Sequence, residues 1–322
     1  MTPPANAAAN AMDDKPTSSE EPQQEPAGGT IFTPYRRTQF FVLVACVVCF
    51  LLFWWAGRAL GIPEEKGFED SVLQQSHWPL DLLATYVLFG VCLLLGTLIA
   101  GWTWFFAGLF SATIGLIAFS ARGGPMRYVL FHAAATGSAQ HAYVLLALEQ
   151  VLLFLPIAIA WWALHRRYDA MLPIPESTKT EADDGKDESA SNTLMALVTQ
   201  LVAMGFVVLL FVPTDAKKQV LIGVFIAGVV GSALAEYLFP DRKAGGLYWI
   251  GPFLVGLVGY LLAHYFGADF TVGTPQGNFA ALAKPLPLDY ASAGAAGALL
   301  GYWVGAERPP LVKRATNESN AT

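Results

Sequence analysis

One acidic residue lies inside a long apolar stretch of this chain. Glu149 belongs to the run LLALEQVLLF and is the only charged residue between Arg127 and Arg166. If the run forms a membrane helix, Glu149 lies about 9 Å below its outer end, because an α-helix rises about 1.5 Å per residue. An acid at this depth usually faces the bundle interior and is either paired or functional. Because burial favours a neutral carboxyl group, Glu149 could hold or pass a proton. The alternative is that it hydrogen-bonds a neighbouring helix.

The histidines are the second candidate for chemistry. His77, His132, His141 and His264 are all predicted to lie at the outer boundary of the membrane, where imidazoles could bind zinc or relay protons. The spacing argues against a metal site, since His132 and His141 are nine residues apart and would face opposite sides of one straight helix. His132, His141 and His264 are therefore weak metal candidates, and we predict neither a metal nor a cofactor.

Other patterns that carry chemistry give little support for an enzyme. Cys46 and Cys49 have the CxxC spacing, but the run VACVVCF has no histidine, acid or glycine beside it, so we interpret both thiols as packing residues. The sequence has no phosphate-binding loop of the GxxxxGKS or GxxxxGKT type, no HExxH and no GxSxG. An enzyme would have to build its site inside the membrane.

A small residue recurs at every fourth position near the end of the chain, at Ala293, Gly297, Gly301 and Gly305. Glycine is a poor helix former in water. In a bilayer, however, small residues at this spacing let another helix approach closely, and close packing is what holds membrane helices together. We therefore interpret these four residues as a helix-packing stripe.

Composition places all these residues in membrane helices. Of 322 residues, 54% are hydrophobic and only 14% charged, whereas a soluble domain carries about a quarter charged residues. About twenty apolar residues suffice to cross a bilayer core of about 30 Å as a helix. Eight such segments are predicted, at 39–60, 80–100, 103–121, 143–164, 194–212, 219–239, 246–266 and 288–306. The predicted fold is an all-α, polytopic transmembrane bundle of about eight spans, with the lipid bilayer as its main partner.

The placement of lysine and arginine orients these spans. With a cytoplasmic N-terminus, twelve basic residues fall inside and seven outside, and the clusters YRR, HRR, PDRK and ERPPLVKR lie directly at inner span ends. Both termini are therefore predicted to be cytoplasmic, and a bacterial cytoplasmic membrane is favoured. Segment 122–142 is too polar for a span, so we expect it to lie at the outer surface or to re-enter the membrane.

The chain is predicted to have five parts. Residues 1–36 form a disordered N-terminal tail, because they have almost no large apolar side chains. Residues 37–167 form a first membrane half with four spans and the outer helix, and an acidic cytoplasmic linker follows at 168–192. Residues 193–307 form a second half with four spans, and 308–322 a short tail.

Three functions are compatible with these features. We favour a non-enzymatic scaffold or subunit that packs through its glycine-rich helix faces, either as a homo-oligomer or against a membrane partner protein. The alternative is a proton- or ion-coupled small-molecule transporter that uses Glu149. A third reading is an intramembrane lipid-modifying enzyme. The net charge of −6 gives no electrostatic footprint for nucleic acid.

Overall fold

The chain folds into a bundle of helices. The computed structural model describes residues 34–59, 71–74, 78–100, 106–136, 139–171, 186–239, 247–266 and 281–306. Its helices are α1 (Pro34–Ala59), α2 (Trp78–Ala100), α3 (Ala107–Ser120), α4 (Met126–Thr136), α5 (Ala139–Met171), α6 (Lys186–Phe211), α7 (Lys217–Leu238) and α8 (Ile250–Tyr265). The last stretch comprises α9 (Pro287–Asp289), a π-helical turn (Tyr290–Gly294) and α10 (Ala295–Ala306). The predicted tails, except for residues 34–36, and the middle of the predicted linker lie outside the described residues.

Six of these helices are long and apolar enough to cross a membrane. They are α1, α2, α5, α6, α7, and α8 together with the 3₁₀ turn before it, and their apolar stretches are Gln39–Gly57, Trp78–Ala100, His141–Arg166, Ser191–Phe211, Lys217–Leu238 and Leu247–Tyr265. Large apolar side chains on their outer faces are exposed, as expected for surfaces in contact with lipid. The described part of the chain is thus all-helical, and its six long apolar helices are those of a membrane protein.

The other two predicted spans form shorter helices in the centre of the bundle. Helix α3 has 14 residues and is about 21 Å long, less than a bilayer core of about 30 Å. Twelve of its residues are buried, as are all five residues of the π-helical turn. Helices α1 and α2 pack on α3, α7 packs along α10, and α5 packs on α8. Six of the eight predicted spans are therefore candidate membrane helices, and the other two correspond to α3 and to the stretch from α9 to α10.

Segment 122–142 contains α4 and the start of α5. The Arg127 Nε atom lies 3.2 Å from Asp215 Oδ2, so α4 is joined to the short connection between α6 and α7. The Arg122 side chain donates a hydrogen bond to the Trp54 carbonyl oxygen at 3.0 Å, near the end of α1. These contacts place α4 at the end of the bundle where α7 begins with Lys217, which we call the Lys217 end.

The small-residue stripe packs against α7 of the same chain. A Cβ atom on Gly297 or Gly301 would overlap a backbone carbonyl group of α7, and one on Gly305 would lie 2.9 Å from the Cβ of Glu236. Ala293, the fourth member, is also buried. The close approach of α10 to α7 therefore requires glycine at these positions.

Candidate functional site

Glu149 is buried in α5 and contacts a short segment between α1 and α2. Its side chain is 1% exposed. The Oε2 atom accepts a hydrogen bond from the hydroxyl of Ser71 and another, at 3.3 Å, from the backbone N–H of Leu73. Ser71 is itself fully buried, and Leu73 belongs to a 3₁₀ turn, Val72–Gln74. Residues 71–74 thus cover the carboxyl group of Glu149 and supply it with hydrogen-bond donors.

A second carboxyl group is buried at the same end of the bundle. Asp289 is 1% exposed, and the Lys217 Nζ atom lies 2.6 Å from its Oδ1 atom. The hydroxyl of Ser120 also donates to Oδ1, and the backbone N–H of Leu286 donates to Oδ2 at 2.9 Å. Only 12% of the Lys217 side chain is exposed, so this is a buried ion pair. It joins the end of α3 to the beginnings of α7 and α9.

Helix geometry explains the positions of both charges. Asp289 lies in the first turn of α9, where a carboxylate can accept from the free backbone N–H of Leu286 and is stabilised by the helix dipole. Lys217 is the first residue of α7, where the same dipole disfavours a cation. Asp289 offsets that unfavourable position, and a buried ammonium group needs such a partner.

The two carboxyl groups lie within electrostatic range of shared neighbours. Lys217 interacts electrostatically with Glu149, and Tyr260, which is fully buried, interacts with both Glu149 and Asp289. The hydroxyl of Tyr260 is already used, because it donates to the Pro285 carbonyl oxygen at 2.5 Å. In the part of the chain that the structure describes, no cationic side chain contacts Glu149.

Lys284 holds the connection between α6 and α7, outside the six long spans. Its Nζ atom donates to the Pro213 carbonyl oxygen and, at 3.4 Å, to that of Val212. Burial lowers the pKa of Lys284, and the nearby carboxylate of Asp215 opposes that shift. Two lysines at the Lys217 end thus have different roles: Lys217 is paired with a carboxylate, and Lys284 is bound to backbone carbonyls.

Two of the three predicted metal candidates, His141 and His264, have side chains that the structure describes. His141 is exposed at the start of α5, and His264 packs on Tyr265 with ring centroids 5.2 Å apart. The side chain of His132 lies outside the described residues. Where side chains are described, no three His, Cys, Asp or Glu residues group closely enough to hold a metal ion. Cys46, Cys49 and Cys92 are buried free thiols.

Three residues of this site do not appear among the sequence-based candidates. Ser71, Lys217 and Asp289 come from segments that the sequence analysis assigns to loops or to the start of a span. Asp289 had a signal that could have identified it, since it is the only charged residue between Lys284 and Glu307. Ser71 and Lys217 had none, because their roles depend on contacts with distant parts of the chain.

The chemistry open to the site follows from its charges. Among the described residues, two buried carboxyl groups, Glu149 and Asp289, lie near the largely buried ammonium group of Lys217, which is bonded to Asp289. Comparison of the chain with protein-family models, with curated proteins and with solved structures gives no match. By geometry alone, the arrangement is suited to binding and releasing a proton at Glu149.

Proposed function

We propose that this chain is a proton-coupled membrane transporter in which Glu149 binds the coupling proton. The observation that carries this proposal is the burial of Glu149 inside a span without a cationic contact among the described residues. A buried, unpaired carboxylate is costly, so its neutral form is favoured there. Acids of this kind line the proton paths of many membrane transporters and pumps.

The contacts of Glu149 suit both protonation states. The hydroxyl of Ser71 donates to a carboxylate, and it can instead accept from a carboxylic acid because a hydroxyl has lone pairs and a rotatable hydrogen. The N–H of Leu73 donates to either form. The carboxyl group of Glu149 can therefore gain and lose a proton while its buried polar neighbours keep their hydrogen bonds, as a coupling site requires.

For the topology we propose eight spans, with α3 and α9–α10 also crossing, and both termini in the cytoplasm. Support comes from α3, whose Gly108 packs on Gly96 of α2 while its last residue, Ser120, reaches Asp289 at the Lys217 end. With this threading the Lys217 end faces outward, and the two membrane halves are 37–167 and 193–307. The proposed location is a bacterial cytoplasmic membrane, on the distribution of basic residues.

Infrared titration tests the proton site without knowledge of the substrate. We expect purified protein in lipid to show a protonated carboxyl band that titrates with pH and is lost in Glu149→Gln. Glu236→Gln is the matched control, because Glu236 is also a buried acid in a span but lies near the other end of α7 and accepts from the hydroxyl of Tyr248. A band unaffected by Glu149→Gln would contradict the proposal.

Transport itself is measured in liposomes that contain a pH-sensitive dye. Amino acids, sugars, nucleosides, organic cations and carboxylates are added outside in turn at equal pH on both sides. A coupled substrate acidifies the lumen in the wild type, and this response is lost in Glu149→Gln and kept in Glu236→Gln. Acidification that persists in Glu149→Gln would exclude Glu149 as the coupling residue.

A scaffold or subunit remains the second candidate. The stripe that suggested it packs inside the chain, but two other glycines favour an external contact. A Cβ atom on Gly90 of α2 or Gly205 of α6 would meet nothing within 4 Å. On this proposal Gly205→Leu breaks a homo-oligomer or partner complex, as measured by native mass spectrometry from membranes. No contact among the described residues favours a lipid-modifying enzyme.

A further inference from the structure

Helix α8 is bordered by buried polar atoms that have no hydrogen-bond partner. Among the described residues there are four of them: Gln150 Oε1, Trp161 Nε1, Gln200 Oε1 and Trp249 Nε1. They lie where α5 and α6 meet α8 or the turn that precedes it, Leu247–Trp249. We call this boundary the α8 seam, defined by Gln150, Phe154, Trp161, Gln200, Trp249 and Phe253.

The two glutamines are fixed by their amide groups. Gln150 points its Nε2 atom at the carbonyl oxygens of Pro252 and Phe253, at 3.5 and 3.4 Å. Gln200 points its Nε2 atom at the Tyr248 carbonyl oxygen, at 2.6 Å. Turning either amide over would set oxygen against oxygen, so both Oε1 atoms stay without a donor in this packing. Each unsatisfied buried group costs about 1–3 kcal/mol.

The seam begins beside Glu149 and extends to the opposite end of the bundle. Gln150 follows Glu149 in sequence, and Trp161 lies eleven residues further on, about 16 Å along the helix. Aromatic rings fill the space between them: the ring centroid of Phe154 is 5.3 Å from that of Phe253 and 6.3 Å from that of Trp249. The rings of Trp161 and Trp249 are 6.4 Å apart.

A small, partly open pocket of about 40 Å³ lies between α6 and the start of α8 and is lined in part by Gln200, Tyr248 and Ile250. Its open surface is apolar, so water can reach the unpaired polar atoms of the seam only if the helices separate. Water at the seam could supply donors to the glutamine oxygens and acceptors to the indole N–H groups, which the closed packing leaves unpaired.

We propose that α8 separates from α5 and α6 and admits a file of water along the α8 seam, which gives Glu149 access to the end of the bundle opposite Lys217. This inference rests on the proposed role of Glu149 as the proton-binding residue. The closed state carries the energetic cost of four unpaired polar groups, and hydration of the open state removes it.

Cysteine labelling tests the seam in the full chain, held in lipid nanodiscs. A charged, water-soluble methanethiosulfonate reacts with a thiolate, which forms in water and not in a dry core. We expect Phe154→Cys to react about tenfold or more faster than Phe53→Cys, since only the former borders water in the open state. The control is closely matched, because Phe154 and Phe53 are both buried and lose the same side-chain volume. Equal rates would overturn the proposal.

Hydrogen–deuterium exchange of the wild type provides a second measurement if Phe154→Cys does not fold. The amides of α8 are expected to exchange faster than those of α10, since α8 borders the four unpaired polar atoms that hydration would satisfy. Equal protection of the two helices would also overturn the proposal.

The seam and the proton site fail in different ways. If Phe154→Cys labels rapidly but Glu149→Gln leaves proton-coupled acidification unchanged, the water path is supported and Glu149 is excluded as the coupling residue. If acidification depends on Glu149 but the seam does not label and α8 does not exchange, the proton site stands and its access route lies elsewhere.

Discussion

The hydroxyl of Tyr86 donates a hydrogen bond to the carbonyl oxygen of Leu152 at 2.6 Å. Leu152 lies four residues before Pro156, and proline has no N–H to complete the helical bond to that carbonyl. A side chain of α2 thus supplies the donor that α5 lacks. Pro252 of α8 differs, because it lies in the first turn of its helix, where a backbone N–H has no partner within the helix in any case.

We predict that Tyr86→Phe lowers the free energy of unfolding by about 0.5–2 kcal/mol, because it leaves a carbonyl unpaired inside the membrane. Unfolding by SDS titration in mixed micelles measures the change. Tyr237→Phe is the control, since Tyr237 lies partly exposed on α7. In a Pro156→Ala background the backbone supplies the missing N–H, so Tyr86→Phe should then have a much smaller effect. An undiminished effect would show that the proline is not the cause.

For the glycine stripe, Gly301→Ala is expected to destabilise the protein by about 1–3 kcal/mol or more, because the added methyl group overlaps a carbonyl of α7. Gly90→Ala, which adds the same methyl group where nothing lies within 4 Å, should be neutral or stabilising by up to about 1 kcal/mol. Thermal unfolding in detergent compares the two variants. Similar melting temperatures would disprove the packing role of Gly301.

Removal of the buried ammonium group should be far more damaging than removal of its exposed neighbour. Lys217→Met leaves the Asp289 carboxylate uncompensated and is expected to cost about 3–5 kcal/mol. Lys218→Met, at an exposed position, should change stability little. Adding Asp289→Asn to Lys217→Met removes the uncompensated carboxylate and should recover part of the lost stability. No recovery would mean that the lysine acts through packing and not through charge.

Lys284 should make stability depend on pH in the alkaline range. The pKa of Lys284 is lower in the folded protein than in the unfolded chain. At pH values between these two pKa values, the unfolded chain therefore binds more protons than the folded protein. Stability therefore rises as pH increases through this window, and the neutral amine still donates to the carbonyls of Val212 and Pro213. Lys284→Met should flatten this rise, whereas Lys218→Met should preserve it. Melting curves across alkaline pH provide the measurement.

The positions of the membrane helices could be predicted from the sequence, because apolarity over about twenty residues is a local property. Which helices occupy the centre of the bundle could not be predicted from the sequence. Lipid and protein core are equally apolar, so the run that forms α3 resembles a lipid-facing span until its neighbours are known. The burial of α3 among α1, α2 and the π-helical turn is a tertiary property.

The site was predictable in one part only. Glu149 stands out because a single acid in an apolar run is conspicuous by itself. Its partner Ser71 is 78 residues away, and Lys217 is 72 residues from Asp289, so their pairing depends on the assembled bundle. The side-chain donor that compensates Pro156, the hydroxyl of Tyr86, was missed for the same reason.

The π-helical turn at Tyr290–Gly294 has a consequence for how the last helix evolves. A wider turn accommodates one more residue than an α-helical turn, and each residue of an α-helix rotates the chain by about 100°. That inserted residue keeps Asp289 in phase with Lys217 and Gly301 in phase with α7. Deleting one residue here would break one of these two alignments. The number of residues in this turn is therefore constrained, whereas the identity of its side chains is less so.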